Sequence, residues 1–385
     1  MDIRITPGPL KGTVTPPPSK SMAHRAILAM LLAEGEGTIF NLAASQDIEA
    51  TRCCAAALKA DRPEVLDCGE SGSTLRFLIP VALALRGGGR FTGRGRLMER
   101  PQKPYFDIFE EKGIFYEQKD GVLSVKGKLT PGEYRLPGNV SSQFVTGLLY
   151  ALPLLEGDSE IVLTSPLESR GYVDMTLETL SQFGVTVESR NYERFTVPGG
   201  QHFQARDVTI EADWSQAAFW LAAGALGNPV RTAGLNEQSI QGDRVIREYL
   251  ALFAGKPVEI DVSDCPDLLP PLAVIASCHD GTTRLVNAAR LRLKESDRLT
   301  AVTKMLNALG SNVEEGPDFL EIKGRNSLDG GIVDGANDHR IVMAAAIAAA
   351  RCADPVTILG AEAIKKSYPD FWDDYRRLGG NFDVL

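Results

Sequence analysis

Long apolar runs recur along the chain, each directly after a small or polar cluster: Ser19 to Leu32, Ser71 to Leu85, Ser141 to Leu155, Asp213 to Leu226, Pro266 to Ile275 and Asp338 to Ala350. A serine, aspartate or proline ahead of such a run is a helix start signal. The stretch Val145 to Leu155 is too apolar for an exposed helix. A second series of helices is expected to begin near an acidic cap residue, at Asp47, Asp107, Asp174, Asp243, Asp297 and Asp370. Several of these close on a glycine stop: Gly113, Gly184, Gly255, Gly310 and Gly379. Between the helices lie β-like runs, among them Val122 to Lys126, Glu160 to Leu163, Val208 to Ile210, Arg284 to Val286 and Val356 to Leu359. Each segment therefore reads as strands around two helices.

The first three long openings pair with the last three at a separation of about 195 residues: Ser19 with Asp213, Ser71 with Pro266, and Ser141 with Asp338. The second series returns the same separation within a few residues, although regular helix spacing is common in any α/β protein. The pairing predicts two similar α/β domains, one spanning residues 19–211 and the other residues 1–18 plus 212–385. The chain would cross between them near Thr15 to Pro18 and near Ala205 to Asp213, with Pro16-Pro17-Pro18 as a stiff connector. A length of 385 residues fits the same division.

Composition narrows the function classes. Hydrophobic residues make up 44% and charged residues 24%, as in ordinary globular proteins. No apolar run reaches the roughly 18 to 20 residues that span a bilayer, and no secretory leader pattern opens the chain, so a cytoplasmic protein without a membrane partner is expected. Six cysteines form no CxxC pair, which fits reduced thiols, and four histidines lack metal-site spacing; no metal and no cofactor are expected. A net charge of −9 argues against a nucleic-acid partner. A small anionic ligand would need lysines and arginines concentrated against that background.

Such concentrations exist. Pro18-Ser-Lys-Ser-Met-Ala-His-Arg25 places Lys20, Ser21 and Arg25 at a helix start, where backbone amides also favour an anion. The same residues read equally as an N-cap with solvated cations. Gly69-Glu-Ser-Gly-Ser-Thr-Leu-Arg76 offers a glycine turn, and Arg100 sits in a proline-flanked loop as either exposed charge or anion clamp. Ser141, Ser142 and Gln143 would point at one spot beyond a helix start, where capping explains only one of them. In the second half Asp267 stands beside Pro266 at a helix mouth. Lys294-Glu-Ser-Asp-Arg298 packs cations and acids into one turn, as an exposed salt-bridged turn also would. Asn337-Asp-His-Arg340 and Lys365-Lys366 precede further helices. A cation at a helix start costs about 0.3 to 1 kcal/mol, so Lys20, Arg100, Arg298, Arg340 and Lys366 at element ends beside hydroxyls ask for an anionic ligand.

Taken in order, these motifs resemble the EPSP synthase family of enolpyruvyl transferases: Pro18 to Arg25, Gly69 to Arg76, Glu99 to Pro101, Ser141 to Gln143, Asp213 to Ala217, Pro266-Asp267, Lys294 to Arg298, Asn337 to Arg340 and Lys366 to Asp370. The resemblance implies two inside-out α/β domains, each of three repeated βαβαββ-type units, with the active site in the interdomain cleft. It also implies a monomer that transfers the enolpyruvyl group of phosphoenolpyruvate to the 5-hydroxyl of shikimate 3-phosphate by addition and elimination, on the route to chorismate and the aromatic amino acids.

Carried over motif by motif, shikimate 3-phosphate would meet Lys20, Ser21, Arg25, Ser141, Ser142, Gln143, Ser169, Asp267 and Lys294. Phosphoenolpyruvate would meet Lys20, Gly72, Arg100, Gln143, Arg298, Arg340 and Lys366. The resemblance makes Asp267 the proton acceptor, Glu295 the proton donor, and Lys20 a group that shares proton duties. Three positions depart from the family pattern: Glu70, Ser73 and Arg290. Two other readings remain. One is the sister transferase acting on UDP-N-acetylglucosamine, which uses a loop cysteine absent from Met98 to Lys103 here; the other is a non-catalytic anion-binding relative.

Overall fold

The computed structural model describes residues 1–60, 65–255 and 257–385. All six long apolar runs form helices: Lys20–Leu32, Gly72–Arg86, Ser142–Ala151, Trp214–Ala225, Leu269–Cys278 and His339–Ala349. Ser19, Ser71, Ser141, Asp213 and Asp338 each accept a first-turn backbone N–H through the side chain, as an N-cap does. The Leu269–Cys278 helix is entered instead through a 3-10 turn, Pro266–Leu268, which suits a proline with no N–H to offer.

These helices lie inside the fold. All eleven residues of His339–Ala349 are buried, and so are nine of the ten in both Ser142–Ala151 and Leu269–Cys278. A helix apolar on every side has no face to give to water, so other elements must surround it. The second series does that work with one apolar stripe each: only four of ten residues are buried in Lys103–Lys112 and five of thirteen in Arg170–Gln182.

The starts of this second series differ from expectation. Asp297 caps Arg298–Ala308 through its side chain, and Asp370 precedes Phe371–Arg377 without a side-chain cap bond. Asp47 lies in the first turn of Gln46–Lys59, whose cap is Ser45. Asp107 and Asp174 fall within Lys103–Lys112 and Arg170–Gln182, which begin after Gln102 and Ser169. Asp243 belongs to the 3-10 turn Gly242–Val245 ahead of Ile246–Leu252. Asp47, within a first turn, gains from the helix dipole much as a cap does, whereas Asp107 and Asp174 lie beyond the first turn of their helices, so there the sequence signal is displaced by several residues.

Four four-stranded sheets share one pairing pattern, a parallel pair followed by two antiparallel ones. In the first, Leu66–Asp67 and Gly88–Thr92 run parallel, joined through the Gly72–Arg86 helix, as a parallel pair requires. Val122–Lys126 then pairs antiparallel with Gly88–Thr92, and Phe115–Lys119 with Val122–Lys126. The same βαβαββ order builds the sheets that start at Gly132–Leu136 and Val258–Asp261, and the chain follows it as far as its third strand, Asn381–Val384, in the sheet that starts at Gly331–Asp334. The last of these is completed by the N-terminal strand Ile3–Thr6 between Val356–Leu359 and Asn381–Val384. Ile3 and Ile5 are buried while Arg4 and Thr6 are exposed, the alternation of a sheet with helices on one face and water on the other.

The described residues divide into two compact units, Ser19–Ile210 and Met1–Pro18 with Glu211–Leu385. Each buries its own core. Phe77, Tyr105, Phe144 and Leu148 belong to one, and Trp214, Trp220, Leu272 and Ile341 to the other. In the discontinuous unit the two passages of the chain run side by side, with Asp213 N donating to Pro17 O at 2.8 Å.

Candidate functional site

In the discontinuous unit three core helices present their N-terminal ends together. Asp213 caps the first, and its carboxylate accepts from Ser215 Oγ at 2.6 Å. Asp267 leads into the second, and Asp338 caps the third. Two arginines tie these ends. Arg298, only 1% exposed, donates from Nη1 to Asp267 Oδ1 at 2.7 Å, from Nη2 to Glu295 Oε2 at 2.7 Å and from Nε to Asp338 Oδ2 at 2.8 Å. Arg340 donates from Nη2 to Asp267 Oδ2 at 2.7 Å and to Ser215 Oγ at 3.0 Å. Lys294 Nζ lies 3.8 Å from Asp267 Oδ1, and Lys366 Nζ donates to Asn337 O at 2.6 Å. Three cations, Arg298, Arg340 and Lys294, therefore face three carboxylates, Asp267, Glu295 and Asp338, in one continuous network.

The charges set each other's protonation. Burial opposes ionisation of Asp267, but Arg340, then Lys294 and Arg298, overcome it and hold the carboxyl well below its usual range. Burial pushes the Lys294 ammonium down to about 8, against the attraction of Asp267 and with added repulsion from Arg298 and Arg290. Burial also opposes the charge on Arg298, yet Asp338, Glu295 and Asp267 raise its pKa above the ordinary arginine value. At neutral pH the cluster thus holds an ionised Asp267 beside fixed guanidinium groups.

The other unit repeats the theme with fewer carboxylates. Lys20, the first residue of its helix, donates to Asp47 Oδ2 at 2.7 Å; the carboxylate offsets the cost of a cation at a helix start. Gly72 opens the next core helix, and Arg100 lies directly over it: a Cβ built on Gly72 would fall 2.7 Å from Arg100 Nη1. Ser141 caps the third core helix, so Ser142 and Gln143 stand in its first turn, and Gln143 Nε2 donates to Ser73 Oγ at 3.0 Å. Arg76 Nη1 donates to Gln143 Oε1 at 2.8 Å.

Two expected residues sit differently. Arg25 is 2% exposed and turned into the unit, donating to Thr176 Oγ1 at 2.9 Å, Ser21 O at 2.7 Å and Tyr172 O at 2.6 Å. Burial lowers its pKa to about 10, and each of its three guanidinium nitrogens already donates within the unit. Ser169 is 2% exposed and adopts φ 58° and ψ 47°, a left-handed backbone that a residue with a Cβ seldom takes, and its hydroxyl does not cap the helix that follows. Of the departures, Ser73 meets Gln143, Arg290 donates to Ser263 O, and Glu70 lies against Gly95.

Reasoning from sequence missed Asp47, Arg76, Ser215 and Asp338. Arg76 and Asp338 stand inside motifs already singled out, at the end of Gly69 to Arg76 and within Asn337 to Arg340. Their partners lie 67 and 40 residues away, which no local pattern discloses. A groove of about 660 Å³ lies elsewhere, lined by residues 162–167, Arg170 and residues 190–194. Its Arg190 and Arg194 are paired with Glu188 and Glu160, so it offers an anion little surplus charge. Among the described residues no group of His, Cys, Asp or Glu is arranged to hold a metal, and no helix is long and apolar enough to cross a membrane.

Comparison with known proteins identifies the family and the fold. The family model for EPSP synthase (3-phosphoshikimate 1-carboxyvinyltransferase) matches residues 5–64 and 52–375. A 3-phosphoshikimate 1-carboxyvinyltransferase from Clostridium novyi is 44% identical over 427 aligned positions, covering 99% of this chain and 98% of the relative. One from Clostridium kluyveri is 46% identical over 420 positions, with 99% and 98% covered. Both alignments exceed the 385 residues of this chain, so the relatives carry insertions that it lacks. The structure of EPSP synthase from Acinetobacter baumannii superposes with a TM-score of 0.80 at 23% identity, covering 100% of both chains. The enolpyruvyl transferase NikO from Streptomyces tendae shares the fold at 18% identity, with a TM-score of 0.79 and 99% and 98% covered. With sequence match, fold and ordered motifs in agreement, the chain belongs to the EPSP synthase (3-phosphoshikimate 1-carboxyvinyltransferase) family.

Proposed function

We propose that the two clusters, one in each unit, bind phosphoenolpyruvate and shikimate 3-phosphate and carry out enolpyruvyl transfer between them. The products are 5-enolpyruvylshikimate 3-phosphate and inorganic phosphate, which makes the chain a transferase of the shikimate pathway. The observation that carries the reading is the grip of Arg298 and Arg340 on Asp267, beside Lys294 and Glu295. A carboxylate held ionised among guanidinium groups is what an anion-transferring site needs when one group must also take a proton.

The donor carries a phosphate and a carboxylate on one small frame, and Lys20, Gly72, Arg100, Gln143, Arg298, Arg340 and Lys366 supply its cations and donors. Shikimate 3-phosphate takes Lys20, Ser21, Arg25, Ser141, Ser142, Gln143, Ser169, Asp267 and Lys294. Asp267 accepts the proton of the 5-hydroxyl as its oxygen attacks C2 of phosphoenolpyruvate, and Glu295 delivers a proton to C3. The tetrahedral adduct then returns a proton from C3 to Glu295 as the C2–O bond to phosphate breaks and phosphate leaves, with Lys20 sharing the proton transfers. Without ligand Asp267 is a weak base, because both arginines lower its proton affinity. Anionic phosphoenolpyruvate competes for those same guanidinium groups, so donor binding raises the basicity of Asp267 when a base is required. The chain acts as a monomer in the cytoplasm on this reading.

The test is product identification. Incubation with phosphoenolpyruvate and shikimate 3-phosphate should give a product heavier by one enolpyruvyl group, with one phosphate released per product, by mass spectrometry and phosphate assay. UDP-N-acetylglucosamine in place of shikimate 3-phosphate should give none. Product from the sugar nucleotide, or binding of both substrates without turnover, would sink the assignment.

A further inference from the structure

Arg76 stands one turn inside the Gly72–Arg86 helix and is 3% exposed, yet it is a full cation in a helix otherwise rich in apolar residues. Burying a guanidinium is costly unless its donors are used, so its partners should show what it is for. Nη1 donates to Gln143 Oε1 at 2.8 Å, Nη2 donates to Pro101 O at 3.1 Å, and the guanidinium carbon lies 4.7 Å from the Phe144 ring centre. One planar fork therefore spans two segments that are far apart in sequence.

Each bond fixes something the donor substrate would feel. Because Gln143 Oε1 accepts from Arg76, the amide is locked with Nε2 outward, where it donates to Ser73 Oγ at 3.0 Å. An amide turned over would present an acceptor where an anion needs a donor. The Pro101 carbonyl follows directly on Arg100, so holding it sets the backbone from which Arg100 reaches across Gly72. Gly72 is the first residue of the helix that carries Arg76. Gly72, Arg100 and Gln143 are thus all referenced to one side chain.

We propose that Arg76 is a positioning residue for phosphoenolpyruvate: it aligns Arg100 and Gln143 over Gly72 without touching substrate. The inference rests on the assignment of those three residues to phosphoenolpyruvate. Its Nη groups hold the Gln143 amide and the Pro101 carbonyl, so its effect on the donor substrate runs through Gln143 and Arg100. Lysine cannot replace it, since an ammonium on a flexible stem lacks the planar fork that bridges an amide and a carbonyl.

Steady-state kinetics of phosphate release tests this, with thermal melts to confirm folding. Arg76→Lys is expected to raise KM for phosphoenolpyruvate about tenfold or more, with a smaller change for shikimate 3-phosphate. Arg76→Ala should lose more, and millimolar guanidinium should restore part of its kcat/KM by filling the vacated space. A purely structural arginine would show no such rescue and no selectivity between substrates. In a Gln143→Ala background, Arg76→Lys should cost less than in the wild type, the non-additivity of groups that act together. Unchanged phosphoenolpyruvate KM in Arg100→Ala and Gln143→Ala would overturn the site assignment itself. A raised KM in those two, with Arg76→Lys within twofold of wild type, would overturn the role of Arg76 alone.

Discussion

Asp267 is held by Arg298 and Arg340 through both carboxylate oxygens. Removing its charge while keeping its shape separates binding from proton transfer. Asp267→Asn is expected to lower kcat by a factor of about 100 to 10,000 while substrate Kd values change little, measured by single-turnover kinetics and calorimetry. Lys294 makes a second prediction. Its folded-state pKa of about 8 lies below its ordinary 10.5, so between those values the unfolded chain holds the extra proton and the stability linked to this group grows as pH rises. Binding runs the opposite way: shikimate 3-phosphate affinity should fall as pH passes upward through about 8 and the ammonium is lost. Lys294→Met should flatten that limb in a calorimetric pH series. At Gly72 an added methyl would meet Arg100 Nη1 at 2.7 Å and Cζ at 3.0 Å, so the arginine must give way. Gly72→Ala should therefore raise KM for phosphoenolpyruvate on the order of tenfold, more than it changes kcat. At this scale the sequence discloses the groups that stand at helix starts, such as Lys20 and Asp267. It conceals their partners, such as Asp47 for Lys20, because an ion pair across 27 residues leaves no local trace.

The elements explain why, within each unit, those groups stand at the ends of core helices. A core helix buried on all sides can expose polar groups only at its ends, so its cap and first turn are where chemistry can be placed. The starts at Ser19, Ser71, Ser141, Asp213 and Asp338 are legible because capping is a local act between a side chain and the next turn. The covering helices are less so: Asp47, Asp107 and Asp174 carry an acidic signal, but Ser45, Gln102 and Ser169 hold the cap positions. The contrast between Asp297 and Asp370 can be measured. Asp297 accepts from Thr300 N at 3.2 Å and also meets Arg292, whereas Asp370 makes no side-chain cap bond. Asp297→Ala should cost about 1 kcal/mol in urea unfolding, and Asp370→Ala a few tenths at most.

The molecule is assembled from one repeated βαβαββ pattern, complete in three of its sheets and closed by the N-terminal strand in a fourth, and the chain offset of about 195 residues records that repetition. The repeat was legible because apolar helix runs and caps recur with it. The closing of one sheet by the N-terminal strand Ile3–Thr6 was not, since a strand of four residues says nothing about a partner at Val356–Leu359. Separate cores also predict separate unfolding: Leu272→Ala, at a fully buried position of the discontinuous unit, should cost about 2 to 5 kcal/mol and split the calorimetric transition. The proposed function requires that cations from both units bind one pair of anionic substrates. Calorimetric titration of phosphoenolpyruvate, in the presence of shikimate 3-phosphate, into Lys20→Ala and Arg340→Ala tests it directly. Both variants should bind at least about tenfold more weakly than the wild type. Wild-type affinity in either one would contradict the account.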